Sequence, residues 1–255
     1  MTKPSKIRLV LGVAVTAIAF VFFVPPVAQD PEYHKFADRR VFLGIQNFCN
    51  VLSNLPLLIV GTMGLLFLNR KWNEDALFIK PSERWSWLVL FGAMALASFG
   101  SAYYHWEPGN PRLAWDRLFI ALAFMTLLAI IIAERIHDTP YQLPLLALAG
   151  MVGVIYWDYT ERQGVGDLRP YVVAQFLPMV MIPLVCALFP APYTQTMRLA
   201  EALGWYLLAK LFEYFDRGIF ELLSVSGHTL KHLAAGMGAY ALLKYLKYRR
   251  KTRSQ

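Results

Sequence analysis

The sequence is dominated by apolar runs of about 20 residues, the length a helix needs to cross the hydrocarbon core of a bilayer. Eight such runs can be read, at 8–28, 47–68, 85–106, 113–136, 143–159, 171–190, 199–222 and 227–246. The fifth is the shortest and carries Asp158 near its end. None alternates like a strand. Hydrocarbon leaves the backbone only helices or closed barrels, so the expected fold class is an all-α membrane protein. Composition agrees where it matters. Hydrophobic residues make up 57% and charged residues 16%, against about 45–50% and 25% in soluble domains. An aromatic content of 15% excludes a disordered chain. The net charge of +8 sits in tails and loops, which argues against a soluble nucleic-acid binder. Cys49 and Cys186 both lie in apolar runs, so neither a disulfide framework nor a cysteine zinc site is expected.

Lysine and arginine placement sets the expected orientation. With the N-terminus cytoplasmic, the inner side holds Lys3, Lys6, Arg8, Arg70, Lys71, Lys80, Arg84, Arg135, Arg198 and the C-terminal cluster Lys244, Lys247, Arg249, Arg250, Lys251 and Arg253. These are fifteen of the 25 basic residues. Eight spans return both basic tails to the same side. The cluster reads as a topology signal before any binding role. The first run has a rival reading, because a basic start followed by Pro26-Val27-Ala28 resembles a signal peptide with its cleavage site. Its apolar stretch exceeds the usual length, which favours a retained anchor helix. The expected organisation is an anchor at 1–28, an outer loop at 29–46, a helical domain at 47–247 and a basic cytoplasmic tail at 248–255.

Ionisable residues in a bilayer face a bundle interior or a cavity. In this topology the outer halves of seven helices collect the polar groups. Asn47, Asn50 and Asn54 share one face by their spacing. Ser101, His105, Asp116, Asp158, Tyr171, Gln175, Glu213, Asp216, His228 and His232 complete the set, while Lys210 intrudes on the inner half. The pattern predicts one polar chamber open toward the outer leaflet. Many of these residues have plainer readings. The asparagines suit interhelical hydrogen bonding, Glu213 suits an ion pair with Lys210 or Arg217, and Asp158 suits a helix end. Tyr103, Tyr104, Trp106, Tyr156 and Trp157 read as an interfacial aromatic belt. His34 and His137 are assigned no role.

The other three histidines carry more weight. His228 and His232 are four apart and project from one helix face, a spacing that lets two imidazoles bind one metal. His105 brings a third imidazole from another helix at the same depth. Ser101 precedes it by one turn, and the short turn through Pro108-Gly109-Asn110-Pro111 returns the chain so that Asp116 lies at that depth too. Three neutral imidazoles and a water make up a catalytic zinc site. Asp116 is the candidate to hold that water and take its proton. Ser101 is the candidate to donate to a developing oxyanion or to position the water. Asn50, Asn54, Asp158, Glu213 and Asp216 are candidate supporting groups around the ligands.

Four stretches resemble the alkaline ceramidases, and in particular their bacterial branch. They are Gly44-Ile45-Gln46-Asn47-Phe48-Cys49-Asn50-Val51-Leu52-Ser53-Asn54, Gly100-Ser101-Ala102-Tyr103-Tyr104-His105, Trp115-Asp116-Arg117-Leu118, and Ser226-Gly227-His228-Thr229-Leu230-Lys231-His232. The resemblance covers about residues 44–247. The wider group of seven-helix membrane hydrolases includes the progestin and adiponectin receptors. The resemblance implies a seven-transmembrane helix bundle, here with one extra N-terminal transmembrane helix. It implies zinc on His105, His228 and His232, with Ser101 and Asp116 assisting. It implies hydrolysis of the N-acyl bond of a ceramide-like membrane lipid, with no nucleic acid and no protein partner, in a bacterial inner membrane. The family's acidic calcium-binding pattern is not matched by Asp38-Arg39-Arg40-Val41-Phe42, which counts against a calcium site. Two other readings stay open: a receptor-like or sensor protein with a structural zinc, and a histidine-ligated haem protein. The HxxxH pair works against haem, since both imidazoles come from one helix.

Overall fold

The computed structural model describes residues 1–74 and 77–252; Arg253, counted above in the basic cluster, lies outside the described residues. The chain forms helices α1 (Lys3–Phe23), α2 (Phe48–Leu52), α3 (Leu55–Lys71), α4 (Glu83–Trp106), α5 (Asn110–Arg135), α6 (Gln142–Arg162), α7 (Arg169–Leu188), α8 (Met197–Tyr214), α9 (Asp216–Leu223) and α10 (Gly227–Tyr248). A 3-10 turn spans Pro31–His34. Among the described residues there is no strand, only two isolated bridges, one of them Phe42 to Ile45. Six spans are long and apolar enough to cross a membrane: α1, α2 with α3, α4, α5, α6 and α7. These properties are consistent with an integral membrane protein.

Two expected spans are interrupted. The run at 47–68 is not one helix. Asn47 adopts a left-handed backbone (φ 49°), and the chain turns again between α2 and α3, where Pro56 starts the new helix. The asparagine face inferred from continuous helical spacing is therefore built from two short elements. The run at 199–222 breaks at Phe215, which caps α8 and precedes α9. Glu213 and Asp216 flank that break, one on α8 and the other on α9.

Helix ends follow their local chemistry. Thr2 caps α1, and Ser226 caps α10 by accepting from the amides of His228 and Thr229. Pro111 and Pro170 sit at the starts of α5 and α7, where a missing amide hydrogen costs nothing. Pro178 and Pro183 lie inside α7 and remove two of its ladder bonds; both face an internal cavity. Close helix contact at the histidine end depends on glycine. A Cβ on Gly100 would stand 2.7 Å from the carbonyl oxygen of Trp115, so α4 and α5 touch there backbone to backbone. A Cβ on Gly227 would stand 2.2 Å from the carbonyl oxygen of Phe212.

Helix α1 lies outside the main body and packs on α7. It is clasped at both ends: Lys6 Nζ donates to the Leu188 carbonyl (2.5 Å), and Arg169 Nη1 donates to the Val24 carbonyl (2.9 Å). The chain then crosses the histidine end as a strap, residues 24–47, before α2. The strap is tied at several points. Gln29 accepts from Arg117 (2.6 Å), His34 bonds Tyr104 and Asn110 (2.9 Å each), and the Ala37 amide donates to Asp216 (3.0 Å).

Candidate metal centre

His105 comes from the last turn of α4, and His228 and His232 from the first two turns of α10. All three are buried. One ligand nitrogen from each lies within 4.8 Å of the others, forming a triad able to hold a metal ion. The nitrogens that face one another can be assigned. His105 Nε2 and His228 Nε2 are 3.3 Å apart. His232 Nδ1 is taken by the Ser53 hydroxyl at 2.8 Å, which leaves its Nε2 for the centre. The His105–His228 pair thus has the separation of two nitrogens on one tetrahedral metal ion, about 3.3–3.4 Å.

The ligand helix is aimed by its own start. Asp216 Oδ1 accepts from the His228 amide (2.9 Å) and from the Ser226 hydroxyl (2.6 Å). Asp216 thus fixes the first turn of α10 from the helix before it. It supports His228 through the backbone rather than through the imidazole. Thr229 donates to Asn50 Oδ1 (2.8 Å), and Ser53 donates to the Asn50 carbonyl (3.1 Å), which ties α10 to α2 beside His232. Asn47 donates to the His105 carbonyl (2.9 Å). Phe36 of the strap covers the centre, its ring 4.7 Å from His105 and 4.6 Å from His228 between centroids.

Ser101 and Asp116 both line the cavity beside His232. Arg117 and Lys231 line the same cavity wall. Asp116 Oδ1 has no hydrogen-bond partner within the protein. Lys231 Nζ donates to Glu213 (2.5 Å) and lies 3.4 Å from His228 Nε2. Glu213 also takes Lys210 (2.6 Å) and the Tyr33 hydroxyl (3.5 Å). The cavity holds about 530 Å³, in the range of ligand sites. It extends from this polar cluster past Leu90, Met94 and Leu127 to Thr196 and Met197. From Ser101 to Leu90 is about 16 Å along α4. One end is therefore polar, and most of the rest is apolar.

The structure brings His105, His228, His232, Ser101 and Asp116 to one place. It treats the supporting residues differently. Glu213 is committed to two lysines rather than to a histidine. Asn54 donates to the Asn50 carbonyl (2.9 Å) and lines the cavity. Asp158 is paired with Arg162 (2.8 Å) along its own helix and is not brought to the histidines, so it is the helix-end residue of the plainer reading. The aromatic belt is also smaller than expected. Tyr103, Trp106 and Tyr156 are exposed to the surroundings of the bundle, but Tyr104 and Trp157 are buried. Tyr104 bonds His34, and Trp157 donates to Glu161 (3.1 Å) beneath the Arg117 guanidinium. Three residues at the site carried no sequence assignment: Ser53, Lys231 and Phe36. Ser53 and Lys231 lie within the stretches that resemble ceramidases, and only their partners reveal their place. His34, given no role, ties the strap.

Arg40 takes both oxygens of Asp38, at 2.8 and 2.6 Å, and holds that carboxyl below its usual range. The histidine triad is the one metal-binding group of three or more His, Cys, Asp or Glu found among the described residues. Comparison with the known protein families gives no matching family, and comparison with curated proteins gives no significant match.

Proposed function

We propose that this protein is a zinc-dependent amide hydrolase of membranes, similar to the alkaline ceramidases, which cleaves the N-acyl bond of a ceramide-like lipid to a fatty acid and an amine. The observation that carries the reading is the buried three-histidine centre, with Asp116 and Ser101 on the wall of a cavity that continues as an apolar channel. In this reading α8 and α10 also cross the bilayer, giving seven spans plus α1. Both termini are cytoplasmic and the metal centre lies toward the outer side of a bacterial inner membrane. The basic residues of the two tails support that orientation.

A zinc ion held by the three imidazoles would supply a water of lowered pKa, from about 15.7 to about 7, and would polarise the scissile carbonyl. The protein's own groups do the rest. The apolar channel takes the acyl chain and sets the amide at the polar end. Asp116, with one oxygen free of protein partners, takes the proton of the attacking water and passes it to the leaving nitrogen. Ser101, on the same cavity wall, helps to position that water. Phe36 and the strap keep bulk water from the centre, which strengthens every electrostatic contact inside. The products are a carboxylate and an amine: a C–O bond forms and the C–N bond breaks.

The test is hydrolysis of a panel of N-acyl lipids by purified protein, with products identified by mass spectrometry. Activity that a chelator abolishes and zinc restores supports the reading. Undiminished activity in His105→Ala overturns the zinc mechanism. Full zinc occupancy with no turnover on any amide favours a receptor-like protein with a structural zinc.

A further inference from the structure

We propose that Lys231 is a further catalytic residue, the donor that stabilises the carbonyl oxygen as it becomes an oxyanion. The inference rests on the hydrolase reading above.

The ammonium of Lys231 sits between the Glu213 carboxylate of α8 and the metal-facing nitrogen of His228. It is partly buried on α10 one residue before His232, faces the cavity with Ser101 and Asp116, and lies 3.4 Å from His228 Nε2. That nitrogen is the one facing His105. Its lone pair cannot serve both a metal ion and Lys231. A lysine ammonium has three donors. One is held by Glu213 at 2.5 Å, and metal binding at His228 sets another free at the centre. A cation beside a metal site in a bilayer is costly and marks function more often than stability. Glu213 offsets the cost here. It binds Lys231 through Oε1 and Lys210 through Oε2, so two ammoniums share one carboxylate and positive charge is left over beside the centre.

This assignment also separates two tasks that the sequence left to Ser101. Ser101 lies with Asp116 on the cavity wall, on the proton-carrying side of the reaction. Lys231 reaches the metal-facing nitrogen of His228, the side on which a polarised carbonyl oxygen would gather charge. As water adds to the carbonyl carbon, the C=O electron pair moves to oxygen. Lys231 donates a hydrogen bond to it and keeps its proton. When the C–N bond breaks, that pair returns to re-form C=O and the nitrogen leaves with the proton carried by Asp116.

The experiment compares zinc-loaded wild type, Lys231→Met and Lys231→Arg in detergent, using a ceramide with a reporter acyl chain. Zinc stoichiometry is measured for each. A non-hydrolysable phosphonamidate analogue of the amide, which carries a tetrahedral anion, is titrated calorimetrically. Lys231→Met leaves Glu213 paired with Lys210, so no carboxylate is stranded. The expected result is a 10²- to 10³-fold loss of kcat with KM and zinc content within about threefold, and a loss of analogue affinity of similar size. Lys231→Arg keeps the charge and should recover part of both. An active wild type whose Met variant keeps its kcat, or keeps its affinity for the analogue, overturns the assignment and leaves the hydrolase reading standing. Loss of zinc from both variants makes Lys231 a support of the metal site and likewise overturns it. A zinc-loaded wild type that cleaves no N-acyl lipid overturns both readings.

Discussion

Ser53 Oγ lies 2.8 Å from Nδ1 of His232 and also donates to the Asn50 carbonyl. The hydroxyl has one hydrogen. With that hydrogen on Asn50, Ser53 accepts from His232 Nδ1–H and fixes the tautomer that presents Nε2 to the centre. Partners of this kind are worth 10- to 100-fold in metal affinity. Ser53→Ala should therefore weaken zinc binding by about one to two orders of magnitude without unfolding the bundle. Competition against a chromophoric chelator measures this. A Ser53→Ala protein with wild-type affinity would show that His232 is oriented by packing alone.

Phe36 covers His105 and His228 from the strap, and its side chain is almost wholly buried. Replacing it with alanine opens the centre on the strap side while leaving the Gln29, His34 and Ala37 ties intact. Phe36→Ala should release bound metal to a water-soluble chelator several-fold faster at unchanged equilibrium affinity. Stopped-flow stripping reads the rate. Equal rates in the two proteins would place the path of chelator access elsewhere.

Gly100 and Gly92 make a controlled pair on α4. A Cβ at Gly100 meets the backbone of Trp115 at 2.7 Å, whereas one at Gly92 meets nothing within 4 Å. Gly100→Ala should push α4 from α5 and part His105 and Ser101 from Asp116, costing about 1–3 kcal/mol and most of the activity. Gly92→Ala should be neutral or stabilising by up to about 1 kcal/mol. Thermal unfolding in detergent, followed by circular dichroism, separates the two. A tolerated Gly100→Ala would mean that the helix contact gives way easily.

What the sequence discloses about this molecule depends on the range of the interaction. The apolar runs are long and local, so the helical class is plain from the chain alone, and six of the eight runs read there meet the length and hydropathy of a span among the described residues. The histidines are legible because four-residue spacing fixes a shared face, and because the tight Pro-Gly-Asn-Pro turn brings Asp116 back to His105. The break at Asn47 to Pro56 falls where three asparagines, a serine and a proline interrupt the apolar run, polar residues that helical spacing read as one face. Lys231 and Ser53 act through partners 18 and 179 positions away, and no periodicity reports on those. Tyr104 and Trp157 fail as belt residues because the strap, with no hydrophobic signature of its own, folds back over them.

The strap also carries a pH dependence. Two hydrogen bonds from the Arg40 side chain hold the Asp38 carboxyl below its usual range. The stabilisation is present above the ordinary carboxylate value, about pH 4. It is lost as pH falls through the lower, folded value. Arg40 is half exposed, so the effect is modest. Amide exchange at residues 36–42, corrected for the intrinsic rate, should rise below about pH 4. Asp38→Asn should abolish that rise, and a rise that persists in the variant would assign it to another group.

At the opposite end of the bundle, Arg249 is enclosed completely. It pairs with Glu83 at 3.0 Å and with Glu134, donates to the Leu77 carbonyl (3.2 Å), and stacks 3.8 Å from the Tyr193 ring. Tyr193 and Tyr245 donate to the same two carboxylates, at 2.7 Å each. The end of α10 is thereby locked to α4 and α5, about 30 Å along the helix from His228. Removing the guanidinium leaves two buried carboxylates facing each other, so Arg249→Met should cost about 3–5 kcal/mol. Adding Glu83→Gln and Glu134→Gln should return much of that loss, because the stranded charges cause it rather than the missing attraction. Zinc affinity should not follow the stability, since none of these groups touches the histidine end. Unfolding and metal titration on the single and triple variants check both halves. A triple variant as unstable as the single one would show that the arginine holds α10 by packing against the rings of Trp87 and Tyr193, and not by its charge.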